Sequence, residues 1–201
     1  MFNHKLIIMA ESLFRNLFNE KRTHTMPSAS KHATAIEILQ QLIRFDTTNP
    51  PGNEKACVSY IQQMLEDAGI ETQIYAKDEN RPNLVAKLPG KGDAPPLLMY
   101  GHVDVVTTAD QKWTYPPFEG VIADGFIWGR GALDMKGGVA MMLAAMIKAK
   151  SEELTPAGDV IFMVLSDEEV GGEYGAAYMV EKHPDVFEGV KYALGEFGGS
   201  N

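Results

Sequence analysis

The stretch that most restricts how this chain can fold is "DVIFMVLSDEEVGG", Asp159 to Gly172. Its first half, Val160 to Leu165, is uninterruptedly apolar and far too short to cross a membrane, so it reads as a buried strand. The second half then sets Asp167, Glu168 and Glu169 side by side at the mouth of that strand. Neighbouring carboxylates repel, and such a run needs water or a cation to relieve it. Two readings stand at this point: a solvated loop, or a metal site that carries its own base.

The rest of the chain supplies the setting for that strand. "ATAIEILQQLIRF" has Ile36, Leu39, Leu42 and Ile43 at helical spacing, and the prolines and glycine of "DTTNPPGN" stop it. Asn53 is the expected N-cap of a second helix, "EKACVSYIQQMLEDAG", which Gly69 closes. "ETQIYAK" and "NLVAKLPG" read as strands around a turn containing Arg81-Pro82. "PPLLMYGHVDVV" reads as a strand ending at Gly101, and "VIADGFIWG" as a hairpin about Asp124-Gly125. "GGVAMMLAAMIKAK" is a core helix, and after strand 159–165 come a helix through "YGAAYMVEKH" and a strand at "KYALGE". This alternation predicts an α/β fold with a largely parallel, helix-covered sheet. Residues 1–25 read as an N-terminal extension preceding Met26, and 26–201 as a single catalytic-type unit.

Composition narrows the function classes. A net charge of −9 leaves no clustered basic face for nucleic acid. No segment approaches membrane-spanning length, and the lone cysteine, Cys57, fits a reducing compartment as a packed or half-exposed thiol. The expectation is a cytoplasmic protein with neither nucleic-acid nor membrane partners.

Open α/β sheets bind ligands beyond the carboxyl ends of their strands. His102 follows "LLMYG", the three acids follow "VIFMVLS", Glu196 follows "KYALG", and Asp134 opens the helix between the first two. In extended chain His102 and Asp104 project to the same side, and a carboxylate beside an imidazole fixes its tautomer. Asp134, framed by glycines in "GRGALDMKGG", can bridge two cations or simply cap its helix. Glu168 and Glu169 point in different directions, so one can ligate a metal while the other reaches a water. Asp167 is then the outlier, turned to backbone or solvent.

Together "YGHVDVV", "WGRGALDMKGG", "LSDEEVGG" and "ALGEFGG" resemble the zinc-dependent amidohydrolases and exopeptidases related to acetylornithine deacetylase, succinyl-diaminopimelate desuccinylase, aminoacylase and carboxypeptidase G. The resemblance runs over about residues 31 to 201 and takes in "TTNPPGNE" and "RPNLVAKLPG". It implies two divalent metal ions, zinc first with cobalt or manganese as alternatives. His102 and Glu196 would hold one, Glu169 the other, and Asp134 would bridge them. It also implies a cis peptide at Asp134-Met135, Glu168 as general base and Asp104 as the support of His102. The implied activity is hydrolysis of the amide bond of an N-acyl amino acid or small peptide.

Family members are longer than this chain. After the position of Glu196 they insert a lid or dimerisation domain, often forming homodimers, and then supply a further histidine ligand. On that basis the 201 residues are expected to be the N-terminal part of a catalytic domain, one donor short at the second metal. His183 is a weak substitute ligand, and a helix-capping role suits it better. The competing readings are a non-catalytic fragment and a carboxylate-rich magnesium or calcium site.

Overall fold

The computed structural model describes residues 2–3 and 33–196. Apart from Phe2–Asn3, the proposed N-terminal extension lies outside the described residues.

Local sequence accounts for the elements. Helix α1 (Ala35–Arg44) starts at Thr34, whose hydroxyl accepts from Glu37 N–H while the Glu37 carboxylate accepts from Thr34 N–H, a reciprocal capping box. Helix α2 (Lys55–Asp67) departs from expectation at its start. Asn53 does not cap it; Glu54 occupies the cap position and makes no capping bond, because its carboxylate is committed to Arg81. Gly69 ends α2 with φ +73°, as expected. Helices α3 (Lys136–Ser151) and α4 (Ala176–Lys182) complete the set.

Strands β2 (Thr72–Tyr75), β3 (Asn83–Leu88), β4 (Leu97–His102), β7 (Val160–Leu165) and β8 (Tyr192–Leu194) form the main sheet in the order β2-β3-β7-β4-β8. A small second sheet joins β1 (Phe2–Asn3) to the hairpin β6 (Phe126–Trp128) and β5 (Val121–Ala123), which turns at Asp124-Gly125. In the main sheet β7, β4 and β8 are parallel, while β2 and β3 run antiparallel to their neighbours. The sheet is therefore mixed. The β2–β3 connection is a short turn, which can join only antiparallel strands, whereas β4 to β7 is crossed by α3.

The two faces of this sheet differ. α1, α2 and α3 cover one with a continuous core that includes Ile38, Leu42, Ile61, Leu143, Met99 and Phe162. Each fully buried side chain of this size contributes about 1.5–3 kcal/mol. Cys57 sits inside it with no exposure, its thiol pushed up to about 11 by burial, so it is packing and not a nucleophile. The other face carries Leu98, Ile161, Met163, Leu165 and Met179 under the short helix α4 and a 3-10 turn, Pro184–Phe187. Every residue of β7 is buried, so the sheet wraps the chain's most apolar run between these two cores. No helix among the described residues is long and apolar enough to cross a membrane.

Candidate metal centre

Because β4, β7 and β8 are parallel, their carboxyl ends emerge at one edge. β4 ends in His102, paired in register with Leu165 at the end of β7, and β8 leads through Gly195 to Glu196. Asp134 arrives from the turn before α3, where Asp134-Met135 is a cis peptide as the resemblance implied. Close approach brings that turn onto β4. A Cβ on Gly101 would lie 2.8 Å from Met135 Cε and 2.9 Å from Val139 Cγ2, so a larger residue there would have to displace the side chains that pack this turn against β4. Asp134 makes no helix cap; Met135 holds the cap position without a side-chain bond.

The imidazole of His102 is buried and oriented from behind. Its Nδ1 lies 3.0 Å from Asp104 O and 3.3 Å from Asp104 Oδ1, which fixes the proton on Nδ1 in the neutral ring. Nε2 then faces outward, 3.0 Å from Asp134 Oδ1, 3.6 Å from Glu196 Oε1 and 3.7 Å from Glu168 Oε2. Ligand atoms of His102, Asp134 and Glu196 all lie within 4.8 Å of one another, a set able to hold a metal ion.

Electrostatics describe the same centre. Burial alone would lower His102, but the hydrogen bond and charge of Asp104, with Glu196 and Glu168, raise it to about 9. Burial raises Glu169, and the neighbouring Asp134 charge raises it further. Burial likewise raises Glu196, against the pull of His102 and with the push of Asp134. Carboxylates converging on one imidazole hold excess negative charge, which a bound cation would neutralise. One nitrogen and several oxygens suit a borderline divalent ion such as zinc. His183 is elsewhere: it ends α4 and packs between the rings of Tyr75 at 4.4 Å and Tyr178 at 5.1 Å. Among the described residues, His102 is the one imidazole at the cluster.

Behind the centre lies a second layer of polar and charged groups, of which sequence reasoning singled out Asp104 but not Asn49, Arg81 or Glu54. Asp104 is fully buried, and its oxygens accept from Asn49 Nδ2 (2.8 Å) and from the backbone N–H groups of Glu168 and Glu169 (3.0 Å each). Burial would raise its carboxyl; these bonds and His102 hold it below the usual range. Asp104 thus positions both the histidine and the acidic turn Glu168–Val170. Of the two alternatives for Asp167, backbone and solvent, the structure takes the first. The residue is buried in a left-handed conformation, accepting from Tyr174 N–H at 3.1 Å and Asn49 Nδ2 at 3.0 Å, and pairing with Arg81 Nη1 at 2.9 Å. Arg81, expected only in a turn, also forms a two-point bond with buried Glu54 and lies 4.9 Å from the Tyr174 ring centre. Gly52 admits that guanidinium, since a Cβ there would fall 2.3 Å from Arg81 Cζ. The polar residues of "TTNPPGNE" and "RPN" were the available signal, but their partners lie 27 to 118 positions away in sequence.

Comparison with known proteins agrees with this architecture. The sequence profile of Peptidase family M20/M25/M40 matches residues 98–199, just over half of the chain. A probable succinyl-diaminopimelate desuccinylase of Staphylococcus epidermidis is 35% identical over 148 residues, 73% of this chain and 35% of its own length. The succinyl-diaminopimelate desuccinylase of Methylobacterium radiotolerans is 36% identical over 148 residues, 70% of this chain and 37% of its own. The chain therefore spans little more than a third of the curated relatives it matches. Human carnosine dipeptidase 1 shares the fold with a TM-score of 0.69 at 20% identity, over 96% of this chain and 41% of its own. An M20 family metallo-carboxypeptidase of Sulfolobus solfataricus gives 0.67 at 20% identity, over 84% and 38%. With its motifs at one strand edge and the family profile across them, the chain belongs to Peptidase family M20/M25/M40.

Proposed function

We propose that this chain carries the metal-binding half of an amide hydrolase acting on N-acyl amino acids or small peptides. The observation that supports it most is the convergence of Asp134, Glu168 and Glu196 oxygens on the outward nitrogen of His102. In this reading His102 and Glu196 hold one divalent ion, zinc by preference, Glu169 holds a second, and Asp134 serves both. When bound, such ions polarise the scissile carbonyl and acidify water. Glu168, half exposed beside the cluster, takes a proton from the attacking water and returns it to the departing amine. Asp104 keeps His102 in one tautomer throughout. The desuccinylase relatives point to an acyl group that itself ends in a carboxylate as one candidate substrate.

A second reading has its own support. Glu169 and Asp134 leave the second ion short of the four donors zinc favours, and one imidazole serves the whole cluster among the described residues. The 201 residues alone would then bind one ion without turnover. Zinc stoichiometry together with N-acyl amino acid hydrolysis separates the two. Two bound ions with turnover that Glu168→Gln abolishes, at unchanged zinc content, supports the hydrolase. Zinc loss in that variant would make Glu168 a ligand and overturn its role as base.

A further inference from the structure

Beside Asp134 the surface opens into a cleft of about 350 Å³ lined by Lys112, Trp113, Trp128, Arg130, Leu133 and Asp134 itself. Its walls differ from the acidic centre they adjoin. The Arg130 guanidinium lies over the Trp113 ring at 5.1 Å, which holds the cation against an aromatic face. Its hydrogen bonds run to neutral acceptors, Gln111 Oε1 at 2.5 Å and Thr107 O at 3.4 Å. Trp128 is fixed by a bond from its Nε1 to Ala123 O and by edge contact with Tyr115. Two donors in these walls, Trp113 Nε1 and Arg130 Nε, are shielded from solvent and lack a partner among the described residues. A shielded donor without an acceptor is costly, and an acceptor brought against it relieves that cost. Leu133, 60% exposed, adds an apolar side chain to the cleft wall next to Asp134 in sequence.

In a chain of net charge −9, two cations thus flank an aromatic cleft that ends at a carboxylate of the candidate metal centre. We propose that this cleft is a specificity subsite that receives a carboxylate-bearing arm of the substrate, with Arg130 and Lys112 as its anion-recognising residues and the indoles as its walls. The proposal rests on the amide-hydrolase reading for the nature of the ligand. The carboxylate can belong to the amino-acid side of the scissile amide or to the acyl side, and probes distinguish the two.

Trp113 and Trp128 are the chain's two tryptophans and both line the cleft, so indole emission reports its occupancy directly. The 201-residue chain, metal-free and zinc-loaded, is titrated with N-acetyl-L-alanine, N-glutaryl-L-alaninamide and the neutral N-acetyl-L-alaninamide. A saturable emission change is expected with at least one carboxylate probe and none with the neutral amide; the effective probe identifies which side the cleft holds. Arg130→Gln and Lys112→Gln should each weaken that binding about tenfold. Lys112 is exposed, so its variant carries the test if Arg130→Gln fails to fold. An equal response to the neutral amide, no response to any probe, or binding unaltered in the folded variants overturns the subsite. A separate zinc titration tests the metal reading: its failure sinks that reading while the metal-free probe titration still judges the cleft.

Discussion

Two groups of acids share one edge of the main sheet, and they are built in opposite ways. Glu54, Asp104 and Asp167 are buried and fully engaged, through Arg81, Asn49 and backbone N–H groups. Asp134, Glu168, Glu169 and Glu196 are more open to solvent yet poorly compensated, His102 being the near positive partner of Asp134, Glu168 and Glu196. Burial alone would have raised Asp104, but its donors hold it low, while the more exposed Glu169 and Glu196 are pushed up. The difference teaches that donors, not depth, decide which carboxylates are satisfied. The inner group is finished structure; the outer group is charge that its protein neighbours leave largely uncompensated.

That contrast is broken most severely at Arg81. Arg81→Met should leave Glu54 and Asp167 as uncompensated buried charges and destabilise the fold by about 3–5 kcal/mol in urea denaturation. A loss below 1 kcal/mol would mean the inner group is hydrated and the contrast false. At the junction of the two groups, Asp104→Asn replaces an acceptor oxygen facing several donors with a further donor. It should cost about 1–3 kcal/mol and weaken zinc binding about 10–100-fold, since the histidine and the acidic turn both lose their support.

The outer group should behave in reverse. Glu196→Gln should change metal-free stability by no more than about 0.5 kcal/mol, because it removes a like charge from the cluster, and Asp134→Asn by no more than about 1 kcal/mol, because the amide oxygen can still face His102 Nε2 at the 3.0 Å contact. The same variants should erase the rise in thermal midpoint that zinc gives the parent chain, worth about 2.7 kcal/mol at a hundredfold excess over Kd. A large stability loss without metal would show that the outer acids are structural after all.

The smallest effect tests an acid at the opposite end of β7. Gly90 N–H at 2.8 Å, and then Lys87, hold the Asp159 carboxyl below its usual range. A depressed folded value means the stabilisation is complete above the unfolded-chain value near 4 and fades as pH falls through the folded one. Exposure screens it to under about 1 kcal/mol, so comparing parent and Asp159→Asn between pH 6 and 3 should show a small convergence at the acid end. Divergence on acidification would reverse the assigned sign.

How much of this was legible beforehand follows from range. Strand β7, the Asp124-Gly125 hairpin and the core helix α3 were readable because apolar runs, turn pairs and helical periodicity are properties of neighbouring residues. The antiparallel direction of β3 against β7 was not, since pairing direction depends on a partner more than 70 positions away. His102 and the acids were conspicuous by type. Asn49 and Arg81 were not, because an asparagine before two prolines and an arginine before one are ordinary turn residues until their buried partners are known.

By itself, then, the sequence determined which segments must be buried, which acids stand at strand ends and which family the motifs resemble, since each depends on residue type and local order. Tertiary structure alone decided which acids became permanent partners of Arg81 and Asn49 and which were left facing His102. Chain neighbours such as Asp167 and Glu168 ended in opposite roles because left-handed backbone at Asp167 turned one carboxylate under the loop and left the other above it. That choice is a matter of which donors lie within three ångströms, and only folding brings them there.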